Sequence, residues 1–188
     1  KTARVEHIIL LDDSPSMDIQ QGNRSSFGRT AAALAEFART LARERSSDTL
    51  TVILTSKPQQ PLLNGQYLTS DNVDGVAASL ESLKASALPA RFDRALIAVD
   101  DLVAKDVKKS NRIVYIVSDF RQHDWLPAEK KDSGGVPGRL TQIGEKVQDV
   151  ILVNVGQEVA QNLAITKVQP LERNLIGGLA SRFEVTVT

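Results

Sequence analysis

The chain has 188 residues, with 23 Lys and Arg against 23 Asp and Glu, no cysteine, and 41% hydrophobic residues. A net charge of +0 gives no electrostatic footprint for nucleic acid or an anionic membrane. The missing cysteines exclude disulfides, thiol catalysis and thiolate metal sites. No apolar stretch approaches the length of a membrane span and no signal peptide is visible, so direct membrane insertion by this segment is not expected.

The first element is "VEHIILL" (5–11), a short β-branched run without alternation, the pattern of a parallel strand covered on both faces. Phe27, Ala31, Leu34, Phe37, Ala38 and Leu41 then fall on one face of a helix, for which Ser25 or Ser26 can serve as N-cap. "LTVIL" (50–54) is a second buried strand, and "TSKPQQPLLNGQYL" (55–68) reads as a hairpin that adds an antiparallel edge strand. Two further helical faces follow, one through Val73, Val76, Ala77, Leu80 and Leu83, the other through Phe92, Ala95, Leu96, Val99, Leu102 and Val103. "IVYIV" (113–117) and "VILVNV" (150–155) are two more strands of the doubly covered kind. Between them lie "KKDSGGVPG" (130–138), the most loop-like and mobile stretch, and a short helix carrying Leu140, Ile143 and Val147.

Strands alternating with helices predict a doubly wound, mostly parallel α/β sheet with helices on both faces. After Gly156 the texture changes: Leu163, Ile165 and Val168, then Phe183, Val185 and Val187, suggest half-buried strands. The expected organisation is an α/β domain over residues 4–157 and the opening strands of a β-sandwich over 161–188. A chain that starts at Lys1 and stops on "FEVTVT" is expected to be a piece of a longer parent.

In an open parallel sheet, ligands bind beyond the carboxyl ends of the strands. Asp12, Ser14 and Ser16 lie there, in "LLDDSPSM" (10–17), and Asp119, in "IVSDF" (116–120), lies at the end of another strand. Hydroxyls and carboxylates without soft ligands suit a hard divalent cation, foremost Mg²⁺. Asp13 and Asp18 flank the cluster and add to its acidity. The alternative is structural, since Asp and Ser after a strand commonly cap a turn.

Two chemistries fail on their own requirements. A phosphoryl-accepting receiver site needs an acid at the end of its central strand and a later lysine. Here "LTVILTS" ends without an acid, and Lys57-Pro58 comes too early. A Ser16, His123 and Asp119 hydrolase lacks the glycine-flanked nucleophile elbow, and its base and orienter share one loop. His7, mid-strand, reads as a hydrogen-bonded core or edge histidine, and Trp125 either packs the Asp119 loop down or offers an exposed contact.

Asp12-x-Ser14-x-Ser16 resembles the D-x-S-x-S signature of the von Willebrand factor type A (VWA) family, with Asp119 at the position of the family's later aspartate. The resemblance covers roughly 5–156. It implies a metal-ion-dependent adhesion site (MIDAS) in which Ser14 and Ser16 bind Mg²⁺, or Mn²⁺ or Ca²⁺, directly. Asp12 and Asp119 would then act through water. The family's threonine before the third helix has no counterpart: Ala90 or Arg91 stands there, and the nearest hydroxyl is Ser86. This departure predicts a degenerate site, with Arg91 placing a cation where metal charge would sit. "HIILLDDSPSM" with "VSDFRQHDW" is similar, more narrowly, to the type A domains of bacterial Bat-type (BatA-like) membrane proteins, some of which continue into immunoglobulin-like sandwiches.

The resemblance implies a non-enzymatic protein-interaction domain, exposed to solvent from a membrane-anchored bacterial parent, extracytoplasmic by preference. Its partner would be a protein offering an acidic side chain to the metal. The alternative is a metal-independent scaffold linking a membrane segment to β-sandwich domains.

Overall fold

The structure is a computed structural model that describes residues 4–105, 111–121, 125, 135–156, 165–170 and 183–187. The chain divides into two compact units, Lys1–Gly156 and Gln157–Thr188.

In the first unit, strand β1 (Glu6–Leu11) leads through a single 3-10 turn (Pro15–Asp18) and a minimal ribbon, β2 (Gln20–Gln21) and β3 (Arg24–Ser25), into helix α1 (Ser26–Glu44). The Ser25 hydroxyl accepts from the Gly28 amide at 3.1 Å and so caps the helix. Strands β4 (Thr49–Leu54) and β5 (Leu63–Tyr67), helices α2 (Val73–Glu81) and α3 (Phe92–Ala104), strand β6 (Arg112–Ser118), helix α4 (Gly135–Gly144) and strand β7 (Asp149–Asn154) complete the unit. The sheet order is β5-β4-β1-β6-β7, all parallel except the β4–β5 pair.

Strand alternation divides the core in two. Ile9 and Leu11 pack with Phe27, Leu34, Ala38, Leu41 and Leu80 under α1 and α2, whereas Ile8 and Leu10 pack with Phe92, Leu96, Val99 and Ile143 under α3 and α4. β1 is therefore buried on both faces, as its uninterrupted apolar sequence requires. At its start His7 is 7% exposed and hydrogen-bonds the Tyr115 hydroxyl at 3.1 Å and Asp48 Oδ2 at 3.4 Å, a core histidine.

Three expectations need correction. β7 reads as doubly covered, but Ile151 and Leu152 are 40% and 55% exposed, because β7 forms one edge of the sheet. The loop expected over 130–138 is helical from Gly135, since Pro137 in the first turn lacks only an amide that has no intrahelical acceptor there; residues 130–134 lie outside the described part. Val147 falls beyond the end of α4.

In the second unit, β8 (Ile165–Pro170) and β9 (Phe183–Val187) form an antiparallel pair. Val168, Phe183 and Val185 are about half exposed, at 57%, 50% and 49%. Leu163 lies outside the described residues.

Candidate functional site

The order of the sheet places a topological switch beside β1: the chain leaves it through α1 for β4 on one side and returns later to β6 on the other. Such a crevice, at the carboxyl ends of the strands, is where open α/β sheets bind ligands. In register Leu11 faces Val117, and the Asp12 amide donates to the Val117 carbonyl at 2.9 Å. One residue further on, Asp12 therefore stands beside Ser118.

Asp12 is fully buried. Its Oδ2 accepts from the Ser118 hydroxyl at 2.7 Å and its Oδ1 from the Ser14 amide at 3.0 Å. Burial pushes the Asp12 carboxyl above its ordinary range, the like charge of Asp119 pushes the same way, and the Ser118 and Ser14 bonds only partly oppose them. The Ser14 and Ser16 hydroxyls lie 3.1 Å apart, joined by a hydrogen bond. Asp12, Ser14, Ser16 and Asp119 thus occupy one edge, as expected.

The Asp119 loop is fixed from three sides. Phe120 takes a left-handed backbone, φ 51°, which is unusual for a non-glycine residue, and its amide donates to the Ser118 hydroxyl at 3.0 Å. Its ring stacks on Trp125 at 4.9 Å, and Trp125 rests on Phe92 at 4.2 Å, so Trp125 packs the loop down onto the start of α3. Gly156 closes the third side: a Cβ there would lie 2.8 Å from the Asp119 carbonyl oxygen and 3.1 Å from its Cα.

Arg121 was not anticipated from the sequence. Its Nε donates to Asp119 Oδ2 at 3.0 Å, and it lines the cleft with Ser14, Pro15, Ser16, Ile19, Ala87 and Pro89, a space of about 450 Å³. The guanidinium beside Asp119 is therefore that of Arg121, not Arg91. Arg91 is exposed, 4.0 Å from Asp93, and lines a neighbouring groove. Ala87 and Pro89, without hydroxyls, line the side of the cleft formed by the loop before α3. Ser86 serves its own loop: its hydroxyl accepts from the Leu88 amide at 3.0 Å.

Asp13 turns along this edge toward the end of β4. Its carboxylate accepts from the Thr55 hydroxyl at 2.9 Å, the Ser56 amide at 2.9 Å and the Ser56 hydroxyl at 2.5 Å. Asp18 is exposed on the 3-10 turn, and His123 lies outside the described residues.

In sequence comparisons no family model matches the chain, and no curated protein matches it. Solved structures do match. The pilus adhesin SpaC of Lactobacillus rhamnosus GG, in its open conformation, superposes with a TM-score of 0.57 at 12% identity, over 82% of this chain and 24% of its own. The manganese-loaded TRAP protein of Plasmodium vivax superposes with a TM-score of 0.54 at 14% identity, over 82% of this chain and 59% of its own. Proximal thread matrix protein 1 of the mussel byssus gives 0.50 at 11% identity, over 79% of this chain and 38% of its own. The fold is von Willebrand factor type A-like. The chain spans about a quarter of the length of the adhesin and about three fifths of that of TRAP. The narrower Bat-type resemblance finds no support among these neighbours.

The oxygens suit the cation that the fold suggests. Two carboxylates and two hydroxyls, all hard donors, meet at one edge, and Asp119 Oδ1 is buried without a protein partner. No cluster of three or more His, Cys, Asp or Glu side chains is present among the described residues, so any metal here depends on the serine hydroxyls. When bound, a cation held by neutral hydroxyls stays electrophilic and can accept a further oxygen ligand. Arg121, bonded to Asp119 Oδ2, would compete with such a cation for that carboxylate.

Proposed function

We propose that this chain is a non-enzymatic protein-interaction domain that binds its partner at the carboxyl edge of the sheet. Ser14 and Ser16 hold a divalent cation directly, and Asp12 and Asp119 hold it through water. The observation that carries this reading is that the four residues stand at one edge of the sheet: the Ser14 and Ser16 hydroxyls are bonded to each other and line a cleft, Asp12 is buried behind them against Ser118, and Asp119 Oδ1 is buried with no protein partner. The cation is Mg²⁺, with Mn²⁺ and Ca²⁺ as substitutes, and its open position takes an acidic side chain of the partner. The neighbours include an adhesin and a manganese-loaded protein, which fits this reading without assigning it. The domain belongs, on this reading, to a larger membrane-anchored bacterial protein of Bat type, facing the extracytoplasmic side. Residues 161–188 open an immunoglobulin-like sandwich. No described helix is long and apolar enough to cross a membrane, so the anchor would lie elsewhere.

Calorimetric titration of the metal-stripped chain with Mg²⁺ and Mn²⁺, beside Ser14→Ala and Asp119→Ala, tests the reading. Saturable binding in the parent and its loss in both variants is expected. The 3.0 Å bond of Arg121 to Asp119 favours a second reading, a metal-independent scaffold in which the arginine neutralises the site permanently. Absence of binding at millimolar metal would select it.

A further inference from the structure

Next to the cleft lies a larger groove of about 580 Å³, lined by Lys57 from the β4–β5 connection and by Arg91 and Arg94 from the start of α3. Gln59, Leu88 and Ile97 complete its character: polar donors and apolar surface, with no aromatic side chain. In a chain of net charge +0, three cations in one groove are a local concentration, not a general surplus. Lys57 and Arg94 make no ion pair among the described residues, and Arg91 has only Asp93 at 4.0 Å across an exposed rim. No side chain caps the first turn of α3, which adds the positive end of a helix dipole to the same wall, with Asp93 in that turn as partial offset.

Both walls are held in place before anything binds. Asp13 grips the Lys57 wall through Thr55 and Ser56, and its carbonyl accepts from the Ser86 amide at 2.6 Å, which anchors the loop leading to Arg91. Such preorganisation lowers the ordering cost of docking. Pro89 lines both this groove and the cleft that holds Ser14 and Ser16, so the two are contiguous.

We propose that this groove docks an acidic segment of a partner protein, with carboxylates on Lys57, Arg91 and Arg94 and an apolar side chain against Leu88 and Ile97. The complementary charge commits the occupant to Asp/Glu-rich peptide. The missing aromatic platform argues against single-stranded nucleic acid, whose bases would need one. The proposal requires no metal at Ser14 and Ser16.

The test is fluorescence anisotropy of a labelled peptide in which glutamates alternate with leucines, titrated with the full chain in EDTA. Its controls are the lysine-for-glutamate peptide and a single-stranded oligonucleotide. Expected are saturable binding that weakens with added salt, and a loss of at least about tenfold in the Lys57→Glu/Arg94→Glu double variant, since rim charges of this kind set steering and register. Both positions are exposed, and an unchanged circular dichroism spectrum verifies the fold. No binding, equal binding of the lysine peptide or oligonucleotide, or an unaffected double variant would overturn the proposal. Failure of the metal reading would look different: no calorimetric Mg²⁺ signal, with peptide binding intact.

Discussion

Replacing Arg121 by glutamine separates the metal reading from the scaffold reading. The Arg121 side chain is one-third exposed while that of Asp119 is 8% exposed, so the pair lies between a surface ion pair and a buried one. Surface pairs contribute about 0–1 kcal/mol, and the partial burial of Asp119 puts this one near the top of that range, about 1 kcal/mol. A cation drawing on the Asp119 carboxylate would compete with that contact for its charge. Its removal should therefore raise Mg²⁺ affinity about fivefold, since about 1.4 kcal/mol is a factor of ten. Without metal the same change works the other way. Asp119 Oδ1 already lacks a protein partner, and Arg121→Gln strips the charge from Oδ2. A buried acceptor left unsatisfied costs about 1–3 kcal/mol, or roughly 2–4 °C of melting temperature per kcal/mol in a chain of this size. Saturating Mg²⁺ should recover the loss, because a ligand at 100 times its Kd adds about 2.7 kcal/mol. The variant should melt lower than the parent in EDTA and gain more from Mg²⁺. If Arg121→Gln binds Mg²⁺ no better than the parent, while Ser14→Ala still loses binding, the competition argument is wrong.

Gly156→Ala should cost about 1–3 kcal/mol and weaken Mg²⁺ binding, because the new methyl meets the Asp119 backbone at 2.8 Å and the loop must shift; urea denaturation and calorimetry read the two effects. At the opposite end of the sheet, Arg112 is buried, bonds Glu6 Oε2 at 3.0 Å and donates to the Val103 carbonyl at 2.6 Å. Arg112→Ala should destabilise by about 3–5 kcal/mol without changing metal affinity in the folded fraction. Burial holds His7 below its ordinary 6.5, against the pull of Asp48, so its contribution is complete above about pH 6.5 and is lost as pH falls through the folded value. Burial raises the Asp48 carboxyl, but the Val5 amide, His7 and Arg45 more than offset this and hold it low, which places a second loss below about 3.8. His7→Gln should flatten the first loss and keep the second, as read from urea midpoints across pH.

Much of the scaffold was legible because burial on both faces leaves a one-dimensional trace. β1, β4 and β6 read as uninterrupted apolar runs, and α1 and α3 as stripes of period 3.6. The same logic misjudged β7, whose apolar run looks identical to theirs although it lies at an edge with Leu152 exposed. Local sequence cannot distinguish an edge from a centre, because position in the sheet depends on where the other strands go.

The oxygen cluster followed from spacing alone: Asp12, Ser14 and Ser16 are neighbours in sequence, and their place after a strand assigns them to an edge. What that edge contains was decided by contacts between distant segments. Ser118 reaches Asp12 across 106 residues, Gly156 admits the Asp119 backbone, and Asp13 spends its carboxylate on Thr55 and Ser56. Arg121 is two residues from Asp119, yet no periodicity marks it, because its bond depends on the left-handed turn at Phe120 and on the aromatic stack beneath it. The sequence by itself determined the layers, the central strands and which oxygen-bearing residues stand at this edge. Only the tertiary structure decided which cation faces Asp119, since that depends on how two loops converge in space, and short-range pattern carries no record of it.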